Sequence, residues 1–312
     1  MDCIRARDGL VYAAACDGAA LKKCSSDLVR TDGGHTAAVL TVDGELTGFA
    51  FDGSGDLWLS ILTPGGGSLC RAAHDSWGTA VEQVVTQIDG APLGTVSAVE
   101  AAPDGRIYFA VAAAAGAADG LESTLRTELL AHTGTGCVYV YDPAARSVQK
   151  VLSGVAGAAG LALSPDGSTL YVSDLASRCV WRVSADAQDL TAGGKNCSSV
   201  VSGLPGYPGA LAMDPDGTLY IGYRWARSSW LEKNAGSTLL RGIALRAGRN
   251  LQEKLFSLPA DALCTEAVDT ADGSWQRVVS GRGAGSVTAL CPVESRLYLG
   301  LAGSEKVRSA NL

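Results

Sequence analysis

Two stretches of the chain repeat one hydrophobic pattern. Residues 158–174 read AAGLALSPDGSTLYVSD and residues 207–224 read YPGALAMDPDGTLYIGYR. In each, a short alternating apolar run is cut by Pro-Asp-Gly, and the alternation resumes around a tyrosine. Period-two alternation places every other side chain on one face of a strand, so Leu161 and Leu163, or Leu219 and Ile221, point into a core. The Asp-Gly step supplies a tight turn between two antiparallel strands, with Gly167 and Gly217 free to take the positive φ that the turn demands. The unit returns at 5–18, 49–60, 99–110 and 287–300, the last with Glu294-Ser295 where the others have Asp-Gly. Tyr12, Trp58, Tyr108, Tyr171, Tyr220 and Tyr298 mark the six copies.

The markers recur every ~57 residues on average, room for a four-stranded blade with some long loops. The pattern predicts an all-β fold, a single six-bladed β-propeller over residues 1–312, with inner strands at 47–52, 97–102, 159–164, 209–214 and 287–292. In blade 3 the third and outer strands are expected at 137–141 and 147–152, and in blade 4 at 179–184 and near 198–202. Blade 6 reaches Leu312 just after its third strand, KVRSANL, so either it holds three strands or a strand from the N-terminal side is missing from it. Two connections break the rhythm. Residues 112–135 are alanine-rich and then read LESTLRTELLAH, a short helix or ordered loop. Residues 225–260 space Leu240, Ala244, Ala247, Leu251 and Leu255 at helical intervals, which predicts a helical insertion in blade 5, between its second and third strands. Gly236 and Gly248 divide it into two helices.

A net charge of −7 and a pI near 5.0 argue against nucleic acid and anionic membrane as partners, because both select basic patches. There is no transmembrane run, and MDCIRARDG lacks the apolar core of a signal peptide. Nine cysteines leave at least one thiol unpaired. Cys137 and Cys179 occupy matching places in GCVYVYDP and RCVWRVS, as small buried strand residues would. No CxxC or CxxH spacing suggests zinc. His35, His74 and His132 stand in loops without a serine–acid partnership, and no GxSxG elbow is present.

The order of these elements resembles the strictosidine synthase-like family. TGTGCVYVYDP (133–143), AGLALSPDGSTLYVSDLASRCVWRV (159–183) and LPGYPGALAMDPDGTLYIGYR (204–224) are similar to three of its blades. The helical stretch that follows matches the family's insertion in position and kind, and the likeness covers about residues 46–305. The resemblance implies a pocket at one end of the central channel. There the plant founder condenses tryptamine with secologanin through an iminium, and a glutamate handles the proton transfers. Related gluconolactonase and paraoxonase propellers hold calcium near the channel and hydrolyse lactones or esters. Family members are often secretory. Matching LYLG (297–300) to the family's strand puts Thr288 where the glutamate stands, and threonine is no general base near neutral pH. The places of the calcium ligands carry Thr47, Ser97 or Ala98, Ala159 and Gly209-Ala210, so only Asp174 remains of the usual set. Calcium requires several oxygens, carboxylates among them. No metal and no other cofactor is therefore expected, nor is strictosidine formation itself.

The candidate ligand site is Asp174, Tyr223, Arg224, Trp225 and Thr288. Asp174 ends the second strand of blade 4, as a turn-capping carboxylate or as an acid of the pocket. Tyr223, Arg224 and Trp225 end the matching strand of blade 5. They either pack the insertion onto the propeller or wall the pocket, where arginine suits a carboxylate. Tyr207 reads as structural, and Glu122, Glu128, Glu266 and Asp269 read as solvated charges. The expected function is to bind a small organic molecule at the central channel, with lyase or hydrolase chemistry. The alternative is a non-catalytic propeller that binds a ligand or a protein partner through the same face.

Overall fold

The computed structural model describes residues 3–16, 21–31, 36–115, 120–248, 250–252, 264–280, 286–304 and 306–312. Six antiparallel blades stand around one axis, as the repeat requires. Their inner strands are Cys3–Arg7, Glu45–Phe51, Thr95–Ala101, Ala158–Leu163, Gly206–Met213 and Val287–Val293. Each inner strand neighbours the next, and the last touches the first, so the ring closes. Among the described residues, blades 1, 2, 4 and 5 have four strands and blade 6 has three, ending at Arg308–Asn311. In blade 3 the third and outer strands are Gly136–Asp142 and Ser147–Val155, and in blade 4 they are Cys179–Ser184 and Ser198–Ser202. Leu190–Thr191 adds a parallel fifth strand to blade 3.

The Asp-Gly steps fold as the pattern demands. Gly105, Gly167 and Gly217 take φ of 90°, 71° and 90°, and in blade 6 Glu294, at the aspartate's place, takes 52°. The turn aspartates also explain why an aromatic follows. Asp52 accepts from the amides of Ser54 and Asp56 at 2.9 and 3.1 Å through Oδ1, and from Trp58 Nε1 at 2.9 Å through Oδ2. Asp214 likewise accepts from the Thr218 amide at 2.9 Å and the Tyr220 hydroxyl at 3.2 Å. One carboxylate thus satisfies the turn and anchors the marker of the next strand. The apolar faces meet between blades: Val138, Leu152, Leu161, Leu170 and Val172 fill the space between blades 3 and 4. Inner strands approach so closely that a Cβ on Gly160 would stand 2.3 Å from the Gly209 carbonyl oxygen.

Among the described residues, three short helices rise from one end of the ring. Helix α1 (Leu121–Ala131) lies in the long blade 3 connection. The blade 5 insertion carries α2 (Ser229–Lys233) and α3 (Thr238–Arg246), with a further helical turn at 250–252. Ser228 and Ser237 cap α2 and α3, their hydroxyls accepting from the Leu231 and Leu240 amides at 3.4 and 3.3 Å. The insertion starts after Ala226, because Trp225 still belongs to the strand Thr218–Ala226. The expected apolar stripe is only partly buried. Ala244 is inside, whereas Leu240 and Leu251 are 43% and 52% exposed. Leu255 and His35 lie outside the described residues.

Two carboxylates expected in solvent are inside. Glu266, on the third strand of blade 5, is fully buried and accepts from the Tyr223 hydroxyl. Glu128, on α1, is buried with its two oxygens accepting from Thr133 Oγ1 at 2.6 and 2.8 Å. In a propeller both faces of a blade meet neighbours, so a charge on an outer strand is not solvated by default. Asp269 is exposed, as expected. Among the described residues no helix is long and apolar enough to cross a membrane.

Candidate functional site

The first two residues of α1 are held from opposite sides of the ring. The Leu121 amide donates at 3.0 Å to Glu45 Oε2, at the start of the blade 2 inner strand. Arg224 Nε, near the end of the blade 5 second strand, donates at 3.0 Å to Glu122 Oε2. Blades 2 and 5 are diametrically opposed in a six-membered ring, so the N-terminal turn of α1 lies across the channel mouth. The guanidinium groups of Arg126 and Arg224 face the Trp225 ring at 5.3 and 5.9 Å. Leu121, Leu125 and Leu129 share an apolar cluster with Val96, Leu175 and Trp225. Burial of that face, more than helix propensity, holds so short a helix in place.

Farther along the axis the channel closes again. The residue paired with the aromatic marker is Arg5, Ala50, Glu100, Ala162, Ala212 and Cys291 in blades 1 to 6. Three alanines and a cysteine leave room at this level for one ion pair, Arg5 with Glu100, reaching across from blade 1 to blade 3. Arg5 also donates to the Ile4 carbonyl at 3.1 Å. Burial pushes the Glu100 carboxyl above its ordinary value, and Arg5 opposes that. The space within the channel amounts to about 40 Å³, bordered by Arg5, Thr47, Ser97, Ala159, Ala210 and Thr288. That holds a few waters, far short of a site for an organic substrate.

The donor set at this level does not fit the calcium ion implied by the resemblance. Thr47 Oγ1 donates to the Ser60 carbonyl at 3.1 Å and Ser97 Oγ to the Ala158 carbonyl at 2.6 Å. Among the described residues, no carboxylate borders the space. Among the described residues, no group of three or more His, Cys, Asp and Glu side chains could hold a metal ion. Hard cations of this size take six to eight oxygens.

The five residues singled out by sequence do not converge on one open space. Asp174 is buried and accepts from Trp181 Nε1 and the Ser177 amide, both at 3.0 Å. Burial pushes its carboxyl up, against those hydrogen bonds. Tyr223 is buried on Glu266. Arg224 and Trp225 meet beneath α1, and Thr288 borders the narrow channel.

Beside the cap lies a larger space that the sequence did not announce. A cleft of about 610 Å³ opens between the C-terminal end of α1, the blade 4 turn 175–178 and helices α2 and α3. Glu232 is its polar hub, accepting from Arg178 at 2.9 Å, Arg227 at 2.7 Å and the Tyr207 hydroxyl at 3.3 Å. Burial, with Glu232 nearby, pushes the Tyr207 phenol up to about 12, so it keeps its proton. Arg241 donates to the Leu130, Leu129 and Ala235 carbonyls at 2.8, 3.1 and 3.0 Å. It thereby takes up carbonyls that the end of α1 leaves without helical partners. His132 ends α1 in the left-handed conformation, φ 52°. Burial, then Arg241, pushes its pKa down, so the imidazole is neutral at neutral pH. A signal was present in the sequence: Arg178, Glu232, Arg241 and His132 all sit in connections between second and third strands, which share one end of a propeller.

The sequence model of the family described as SMP-30/Gluconolactonase/LRE-like region matches residues 20–229. No curated protein matches the sequence. Among solved structures, a gluconolactonase from Xanthomonas campestris is 17% identical with a TM-score of 0.57, over 88% of this chain and 78% of its own. Regucalcin from Agrobacterium tumefaciens, a calcium-binding protein, is 14% identical with a TM-score of 0.59, over 97% and 83%. A chain of the nidogen/laminin complex is 13% identical with a TM-score of 0.62, over 97% and 89%. Likeness at these identities carries the fold and not the activity.

Proposed function

Because the chain belongs to the SMP-30/gluconolactonase/LRE-like family, we propose that it binds a small organic molecule at the helical end of the propeller, in the cleft beside α1 rather than in the channel. The observation that carries this reading is the cleft itself. Its volume of about 610 Å³ falls within the usual range for small-molecule sites. The channel is stopped by α1 at its mouth and by Arg5 and Glu100 within. We read the likeness to strictosidine synthase-like blades as one of motif order without the condensation chemistry, since Thr288 faces about 40 Å³ and offers no base. The test is a thermal-shift screen of small acids, amines, aldehydes and lactones on wild type and Gly242→Trp. A Cβ on Gly242 meets nothing within 4 Å, so tryptophan fills the cleft without a backbone clash. Stabilising compounds that lose their effect in Gly242→Trp support the reading, and compounds that keep it overturn the location.

A hydrolytic reading is favoured by one observation, the place of the His132 imidazole on the cleft wall, where burial and then Arg241 push its pKa down. A neutral histidine accepts a proton from water, which general-base hydrolysis of a lactone or ester requires. This reading expects lactone hydrolysis that rises with pH through the His132 pKa and is lost in His132→Asn. Hydrolysis indifferent to that substitution would remove it.

A further inference from the structure

We propose that the ligand of the cleft is a small amphipathic carboxylic acid, bound as its anion. This rests on the cleft being the binding site. The charges on the lining carry the inference. Arg178 and Arg241 stand against one carboxylate on the lining, Glu232, which also pairs with Arg227, a residue outside that lining. The two other carboxylates nearby are engaged beneath the surface, Asp174 with Trp181 and Ser177, Glu128 with Thr133. In a chain of net charge −7, one wall of this cleft thus carries a surplus positive charge.

Arg241 is the open cation. A guanidinium has five N–H donors, and three bonds of Arg241 go to backbone carbonyls. Among the described residues it forms no ion pair with a carboxylate. Arg178 is more heavily engaged, with the Leu204 carbonyl at 2.8 Å and Glu232 at 2.9 Å. The two remaining N–H groups of Arg241, one on Nη1 and one on Nη2, are left to donate to the oxygens of a carboxylate. One surplus charge on the lining matches a monoanion rather than a phosphate dianion. The other walls are Leu129, Leu231 and Leu245, which would bury a hydrocarbon body.

The test is calorimetry at low salt with octanoate and 4-phenylbutyrate, their neutral amides, and inorganic phosphate, on wild type, Arg241→Gln and Gly242→Trp. Both carboxylates are expected to bind wild type at least about tenfold more tightly than the amides, and more weakly at high salt. Arg241→Gln should weaken them by roughly 10–100-fold, and Gly242→Trp should abolish their binding. Acid and amide of equal affinity, both lost in Gly242→Trp, would overturn the anion and leave the cleft as the site. Phosphate binding as tightly as the carboxylates would overturn the amphipathic class. Binding that survives Gly242→Trp, or no binding by any carboxylate, would overturn the cleft as well. If Arg241→Gln does not fold, the wild-type acid-to-amide ratio and its salt dependence decide.

Discussion

Arg224 and Glu122, 102 residues apart in sequence, meet at 3.0 Å and tie a helix of blade 3 to a strand of blade 5. The Arg224 side chain is 9% exposed and that of Glu122 40%, so the pair sits on the covered side of the cap. Glu122→Gln keeps the shape and removes the charge that Arg224 faces. It should cost about 1–3 kcal/mol. Hydrogen exchange should quicken first in α1, because local opening begins where the tether is lost. Unchanged protection of α1 would show that the helix is held by its apolar face alone.

Glu266 titrates against its surroundings. It is fully buried, its Oε1 has no hydrogen-bond partner, and burial raises its pKa despite the Tyr223 hydrogen bond. For an acid with a raised folded value, the stabilising contribution is complete below the ordinary value of 4.5 and is lost as pH rises through the raised one. Wild type should therefore lose stability over that window relative to Glu266→Gln, which has no proton to release. Melting temperatures of the two across pH 4 to 8 should diverge as pH rises. Parallel curves would contradict the assignment.

The pair in the channel should behave as a unit. Arg5→Ala leaves Glu100 facing alanines and should cost about 1–3 kcal/mol, whereas the Arg5→Ala/Glu100→Ala double variant should cost less than the sum of the singles. Strict additivity in denaturant melts would mean that the two charges are solvated independently.

Calorimetry on chelator-treated protein should show no tight calcium binding. The space within the channel offers hydroxyls already donating to carbonyls, at Thr47 and Ser97, and among the described residues no carboxylate lines it. A submicromolar heat signature would place the ion elsewhere or overturn the donor-set argument.

The blades were legible because their cause is local. A Pro-Asp-Gly turn needs positive φ at Gly167 or Gly217, and an aspartate such as Asp52 reaches an aromatic six residues on. Such contacts leave a period in the sequence. The cap and the cleft leave none. The sequence offers Arg224 as a packing or pocket-wall residue but nothing in it brings Glu122 to it from another blade, and nothing in it singles out Arg241, which takes the carbonyls that end α1. Glu128 and Glu266 misled for the same reason, since what buries them is the neighbouring element and not their own strand or helix.

The seam between the first and last blades sets the order of assembly. Cys3–Arg7 lies beside Val287–Val293, with Ile4, Val11 and Ala13 packed on Ala289 and Cys291. Among the described residues no strand passes from one of these blades into the other. Joining them closes a loop of nearly the whole chain, which costs about 5 kcal/mol in chain entropy. Hairpins within blades close short loops and form early, so the seam forms last and opens first. Ile4→Ala should then speed unfolding and barely slow folding, which makes this one junction, more than the strength of any blade, the clock for how long the native ring lasts.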